Sequence, residues 1–228
     1  MTQLIVAALF LLVSHFGISS TPLRPWLVAR LGERPYLALY SLLAAGAIAW
    51  LIWAYVRAPY VLVWPTTAWN AAVPFAVLPF AFVLAVAGLS TPNPTAVGAP
   101  AEMLGGSAVR GIFRVTRQPF QWSVVLWAAA HLIANGDLAG IVLFGAFGLL
   151  AGIGTALIDR RYAQSRGADW QAFAAVSSNL PFAAIAAGRQ SFVFAEIGWW
   201  RVGLGLAIYL VFLAVHPWLF GAAPIEAL

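Results

Sequence analysis

Three histidines, His15, His131 and His216, each fall inside an apolar run. His131 is the most isolated, because the stretch from Trp122 to Ala134 carries no charge and almost no other polar atom. A titratable ring in such a setting needs a partner, since an unpaired buried polar group is costly. Inside a membrane span an ionisable side chain marks a functional site by default. Neutral imidazole ligates zinc, copper and haem iron. A hydrogen bond to a neighbouring helix accounts for each ring equally well. No two histidines stand at i,i+4 spacing and no carboxylate shares their runs, which excludes a HExxH-type zinc peptidase. Histidines from different helices can still converge in a bundle core.

A second constellation is Gly111-Ile-Phe-Arg114-Val-Thr-Arg117-Gln-Pro119. Two arginines three residues apart, just before a proline suited to a helix start, can clamp a cofactor carboxylate or phosphate, or meet lipid headgroups. Asp159-Arg160-Arg161 reads as a topology signal with a local ion pair. Gly145, Gly148, Gly152 and Gly154 give their helix a small-residue face for close packing. No Ser-His-Asp order, nucleophile elbow, phosphate-binding glycine loop or dinucleotide fingerprint occurs. Catalytic residues are therefore not assigned. The remaining acids, Glu33, Glu102, Asp137, Asp169, Glu196 and Glu226, map to loops, span ends or the tail. An ion-coupled transporter would place a carboxylate deep in a span, so transport is disfavoured.

The elements that must carry these residues follow from composition. The chain of 228 residues is 63% hydrophobic and 8% charged, where a soluble domain has about 25% charged residues. Eleven Trp, fifteen Phe and six Tyr suit membrane-interface belts. Twelve arginines face seven acids, but they are spread through the loops, so membrane topology explains them and a nucleic-acid patch does not. No cysteine is present, which excludes disulfides and thiolate-held metals. Residues 2–13 lack a preceding basic residue and a clear cleavage site, and are read as a retained span.

The expected fold is an all-α integral membrane protein with six transmembrane helices, at about 2–19, 37–57, 68–89, 119–135, 138–158 and 198–220. Residues 1–228 form a single transmembrane domain with no internal repeat. Pro74 and Pro79 are expected to kink the third span. Asn135-Gly136-Asp137 is a tight turn between the fourth and fifth. Eleven of the twelve arginines fall on alternate loops and only Arg57 falls opposite, which places those loops in the cytoplasm and both termini on the outer, periplasmic side. In the inner loop 159–197, Trp170 and Phe173 beside Asp169 and Gln171 predict a short amphipathic helix on the surface, or an aromatic pair packed under the bundle.

The chain resembles the NnrU family of bacterial membrane proteins. The matching stretches are Ser14-His15-Phe-Gly-Ile-Ser19, Pro22-Leu-Arg24, Leu31-Gly-Glu-Arg34 with Tyr40-Ser41, Asn93-Pro94-Thr95 and Arg110-Gly111-Ile112. They continue with Thr116-Arg117-Gln118-Pro119, Trp127 through Asp137, Pro181-Phe182-Ala183, Gly188-Arg189 and His216-Pro217-Trp218. The resemblance implies a multi-pass protein of the bacterial inner membrane, linked to nitrite and nitric oxide reduction. The family is similar to plant zeta-carotene isomerase, a haem-dependent enzyme acting on a carotenoid double bond. That similarity implies haem b as cofactor, with His15 and His131 as iron ligands. A more distant resemblance runs to isoprenylcysteine and phospholipid methyltransferases. Here Gln118 stands where those enzymes, and usually the NnrU pattern, have histidine, and Asp159-Arg160-Arg161 stands near their paired glutamates.

Span geometry pulls against the implied ligand pair. His15 lies roughly 8 Å from the inner end of its span and His131 roughly 6 Å from the outer end of its own. Across a core about 30 Å thick, their depths differ by about 16 Å. Depth pairs His131 with His216 instead. The expected function is therefore a haem-binding membrane protein, ligated by His131 with His15 or, alternatively, His216. It serves denitrification or polyene isomerisation, with membrane lipids, a lipophilic substrate and denitrification reductases as partners. The alternatives are a methyltransferase-like membrane enzyme and a cofactor-free assembly factor.

Overall fold

The computed structural model describes residues 1–95, 103 and 109–227. Glu102 lies outside them. Apolar length dictates the first level of structure. The long helices are α1 (Thr2–Ser19), α3 (Glu33–Val56), α4 (Ala68–Ser90), α7 (Leu138–Ser165) and α11 (Trp199–Phe220). These five are long and apolar enough to cross a membrane. The expected fourth span forms α6 (Pro119–Ala134), equally apolar but only 16 residues long. At 1.5 Å per residue it spans about 24 Å, short of a hydrocarbon core of about 30 Å. Shorter helices fill the connections: α2 (Leu23–Leu31), α5 (Ile112–Val115), α8 (Gly167–Val176), α9 (Ala183–Ala186) and α10 (Phe194–Ile197).

Helix ends follow local chemistry. Asp137 caps α7 by accepting from the Gly140 N–H at 2.8 Å, inside the expected Asn135–Asp137 turn. Pro119 opens α6 at a position where its missing N–H costs nothing. At the start of α4 the Asn70 side chain accepts from the Thr67 N–H at 2.8 Å, and α4 then runs unbroken through Pro74 and Pro79. Each proline removes the N–H that would bond the carbonyl four residues back. α7 extends to Ser165, beyond the expected 158, because hydropathy marks only the apolar part of a helix and the polar turns from Asp159 onward continue it.

The helices pack in the order α3, α1, α7, α6, α4, α11. One core joins Leu4, Ala7, Ala8 and Leu11 to Leu51, Ala54, Ala128, Leu143 and Phe144. A second joins Leu84 and Ala87 to Ile112, Phe113, Val115 and Ile197. Close approach depends on glycine. A Cβ at Gly205 would stand 2.8 Å from Val83 Cα, and one at Gly88 would stand 2.8 Å from the Phe120 nitrogen. Of the expected glycine face on α7, Gly148 and Gly152 meet α6 at Ala128 and Val125, while nothing lies within 4 Å of a Cβ at Gly145 or Gly154.

The connections alternate between ends. Val63 and Trp64 donate to the Gly136 carbonyl at 2.7 and 3.1 Å, and Leu138 donates to Val61 O at 2.9 Å, which fastens the α3–α4 connection to the α6–α7 turn. At the opposite end, the Arg201 Nε donates to Ser90 Oγ at 2.9 Å. That opposite end carries the loops where the arginines concentrate.

Candidate functional site

Near the C-terminal end of α6, His131 places Nδ1 2.8 Å from the Trp127 carbonyl oxygen. A carbonyl only accepts, so Nδ1 carries the proton and Nε2 keeps a free lone pair. The ring is held flat against Phe144 of α7, centroids 4.8 Å apart, and against Trp127 at 5.1 Å. Trp127 is braced in turn by Phe144 and Phe147 at 5.0 and 5.7 Å.

His216 adopts the same posture. Its Nδ1 meets the Ala222 carbonyl at 2.9 Å beside Phe220. His15 is set apart. It packs edge-on against Tyr40 at 5.4 Å. Ala8 shares the core that holds Phe144, and His15 lies seven residues further along α1, about 10 Å toward the other end. His131 and His216 thus lie toward the same end of the bundle, on helices separated by α4, and His15 lies toward the other end.

An imidazole whose Nδ1–H is anchored on a carbonyl presents Nε2 as a metal ligand does. The donor chemistry at positions 131 and 216 therefore suits haem iron. No group of three or more metal-ligating side chains occurs among the described residues. Two cavities flank this region. One, of about 130 Å³, lies between α4 and α6 and is lined by Ala81, Phe82, Ala85, Ser123, Val124 and Trp127. The other, of about 300 Å³, lies between the end of α11 and the tail, against Leu213, Pro217 and Ile225. No histidine lines either.

The two arginines of the expected anion clamp face different partners at the opposite end. Arg114 grips Glu196 with two prongs, Nε to Oε2 at 2.8 Å and Nη2 to Oε1 at 3.0 Å, and also meets Gln190 Oε1. The Gly111 N–H adds a third bond to Glu196 at 2.9 Å. The Arg114 bond, then that N–H, hold the Glu196 carboxyl down at about 2, and Arg114 is itself raised by the same bond. Gly111 is required here: its φ is +56°, and a Cβ would stand 2.8 Å from the Glu196 carbonyl.

Arg117 is mostly buried and bonds Asp159 Oδ2 at 2.5 Å and Ser177 Oγ at 3.2 Å, with its guanidinium 5.4 Å from the Trp170 ring. Asp159 thus pairs across to the start of α6 instead of forming the expected local pair. Asn179 joins the group by donating to Asp159 Oδ2 at 3.1 Å and accepting from Trp122 Nε1 at 3.2 Å. Trp170 and Phe173 are both buried on α8 with Tyr162 and Val109, so the aromatic pair packs under the bundle.

Sequence reasoning missed this polar knot, although its pieces were visible as separate motifs. The Arg117 N–H bonds Ser178 O, the Phe182 N–H bonds Val115 O, and Arg189 Nη1 reaches the carbonyls of Ala175 and Ser177. Phe182 takes a left-handed conformation, φ +63°, unusual for an aromatic residue. Gln118 is 1% exposed. Among the described residues its Nε2, Arg117 Nε, Asp159 Oδ1 and Gln121 Oε1 have no partner.

Among characterised proteins, the chain is similar to "15-cis-zeta-carotene isomerase, chloroplastic" of Arabidopsis thaliana, 34% identical over 86 residues, or 35% of this chain and 22% of the relative. It thus spans well under two thirds of that protein's length. No solved structure matches. The family model described as "NnrU protein" matches residues 3–224. With that match over nearly its whole length, this multi-helix chain belongs to the NnrU family.

Proposed function

We propose that this chain is an intramembrane isomerase of polyene lipids, with haem b bound through His131 Nε2. The observation that carries the reading is the His131 posture, an Nδ1–H fixed on the Trp127 carbonyl at 2.8 Å and a ring clamped by Phe144, beside an apolar recess. The likeness to zeta-carotene isomerase supports the substrate class. His216, toward the same end of the bundle, is the second ligand favoured by depth, and His15 the one favoured by resemblance. Haem held by His131 Nε2 would supply a redox-active iron. The chain's own residues orient the imidazole, keep water out and present the apolar approach. In this reading α6 is a sixth, short span, both termini face the periplasm of a bacterial inner membrane, and the arginine-rich loops face the cytoplasm.

Absorbance and pyridine-haemochrome spectra of protein purified from haem-sufficient cells test the cofactor. A Soret band is expected, lost in His131→Ala and altered in only one of His216→Ala and His15→Ala. A colourless preparation overturns haem binding. Chromatography of carotenoid isomers after incubation in liposomes tests the reaction, and a nitric oxide-induced Soret shift tests the link to denitrification.

A further inference from the structure

From the start of α9 to the start of α11, four rings follow one another over the surface. Phe182 meets Phe192 at 6.1 Å, Phe192 meets Phe194 at 6.2 Å and Phe194 meets Trp199 at 4.7 Å. Phe182, Phe192 and Trp199 are 52%, 49% and 71% exposed, so the protein leaves much of this ladder uncovered. Phe182 also holds its left-handed backbone, a conformation that glycine takes without strain and an aromatic residue does not. A strained position that keeps a bulky apolar side chain half outside the fold points to a partner beyond the fold. Three observations identify that partner. Both ends of the ladder are pinned where helices enter the bundle. The Phe182 N–H bonds Val115 O, four residues before Pro119 opens α6, and Trp199 is the first residue of α11. Since α6 and α11 flank α4, the ladder runs across the bundle end at the level where spans begin. It also continues the exposed apolar face of α11, a membrane-length helix that shows Leu204, Leu210 and Val211 to its surroundings. Finally, the one acid within 180–201, Glu196, is held by Arg114, while the Arg201 guanidinium lies over the Trp200 ring at 4.5 Å. Uncompensated negative charge is thus absent, and aromatic rings beside arginine suit the boundary between lipid tails and headgroups.

We propose that residues 180–200 form a membrane-interface anchor, its aromatic ladder lying at the headgroup–acyl boundary and covered there by phospholipid. The inference is independent of haem binding and of any substrate. It moves the interfacial role from α8, whose aromatic pair is buried, to the stretch that follows. The photoreactive residue p-benzoylphenylalanine is placed singly at Phe182, Phe192, Leu210 and Gln164 of the full chain, and each protein is irradiated in phosphatidylcholine nanodiscs. Mass spectrometry should find phospholipid adducts at 182 and 192 as abundant as at Leu210 on α11. They should exceed by about tenfold those at Gln164, which lies beyond the apolar part of α7. A second measurement leaves the ladder intact: a fluorescent NBD label on Ala195→Cys, in a chain with no other cysteine. Its emission should be quenched by phosphatidylcholine carrying a nitroxide near the top of its acyl chain, and shielded from aqueous iodide. Adducts between copies of the chain at 182 or 192 would assign the ladder to a protein contact. Iodide quenching without nitroxide quenching would place it in water. Either result overturns the proposal.

Discussion

His131 and Arg117 solve the problem of a polar side chain in an apolar chain in two ways. The imidazole spends one nitrogen on its own helix and keeps the other free, while the guanidinium is met by a carboxylate from 42 residues away. Breaking a mostly buried ion pair strands a charge, at a cost of about 3–5 kcal/mol. Asp159→Ala should lose stability of that order in detergent thermal melts. The double substitution Arg117→Met with Asp159→Leu should recover most of it, because neither charge is then left alone. At this scale the sequence disclosed which residues are unusual and concealed what they touch. Arg117, Asp159 and Asn179 come from separate stretches, and no spacing rule joins residues brought together only by packing.

At the scale of helices, hydropathy located every long element but missed the polar extension of α7 from Asp159 to Ser165, because crossing a membrane demands an apolar length that composition alone reveals. It did not reveal α2, α5, α9 and α10, which owe their form to local turns at the ends of the bundle. Nor did it distinguish glycines at crossings from glycines facing open space. Gly205→Ala should destabilise the α4–α11 contact by about 1–3 kcal/mol through overpacking. Gly145→Ala, on the same argument, should be neutral or stabilise by up to about 1 kcal/mol by removing backbone freedom within a helix. Chemical unfolding of the two variants side by side checks the contrast.

The Arg114–Glu196 clasp joins α5 to α10 and titrates. The folded carboxyl sits at about 2, below its ordinary value, so the clasp stabilises fully above the usual carboxylate range and fails as pH falls through about 2. Hydrogen exchange of residues 109–115 and 190–197 should stay slow down to about pH 3 and rise below it. Glu196→Gln should exchange fast at neutral pH as well.

For the whole molecule, the arginine bias predicted which connections share a side, and the hydrogen bonds between 61–64 and 135–138 group two connections at one end as expected. Because the chain has no cysteine, single substitutions give an unambiguous map. Thr66→Cys should react with a membrane-impermeant maleimide on intact spheroplasts, and Ser165→Cys only after lysis. The reverse pattern would invert the proposed orientation.

If α6 is the sixth span proposed above, its brevity has a consequence for the surrounding bilayer. A helix of about 24 Å cannot fill a slab of about 30 Å unless the lipids beside it shrink. The deficit is local, since its neighbours α4 and α7 are long enough. Lipid tails should therefore dimple inward beside α6. A dimple lowers the barrier for a stiff, elongated guest to leave the bilayer midplane and lie against the protein. Host-membrane thickness thus becomes a control on access, with thin membranes admitting guests more readily than thick ones.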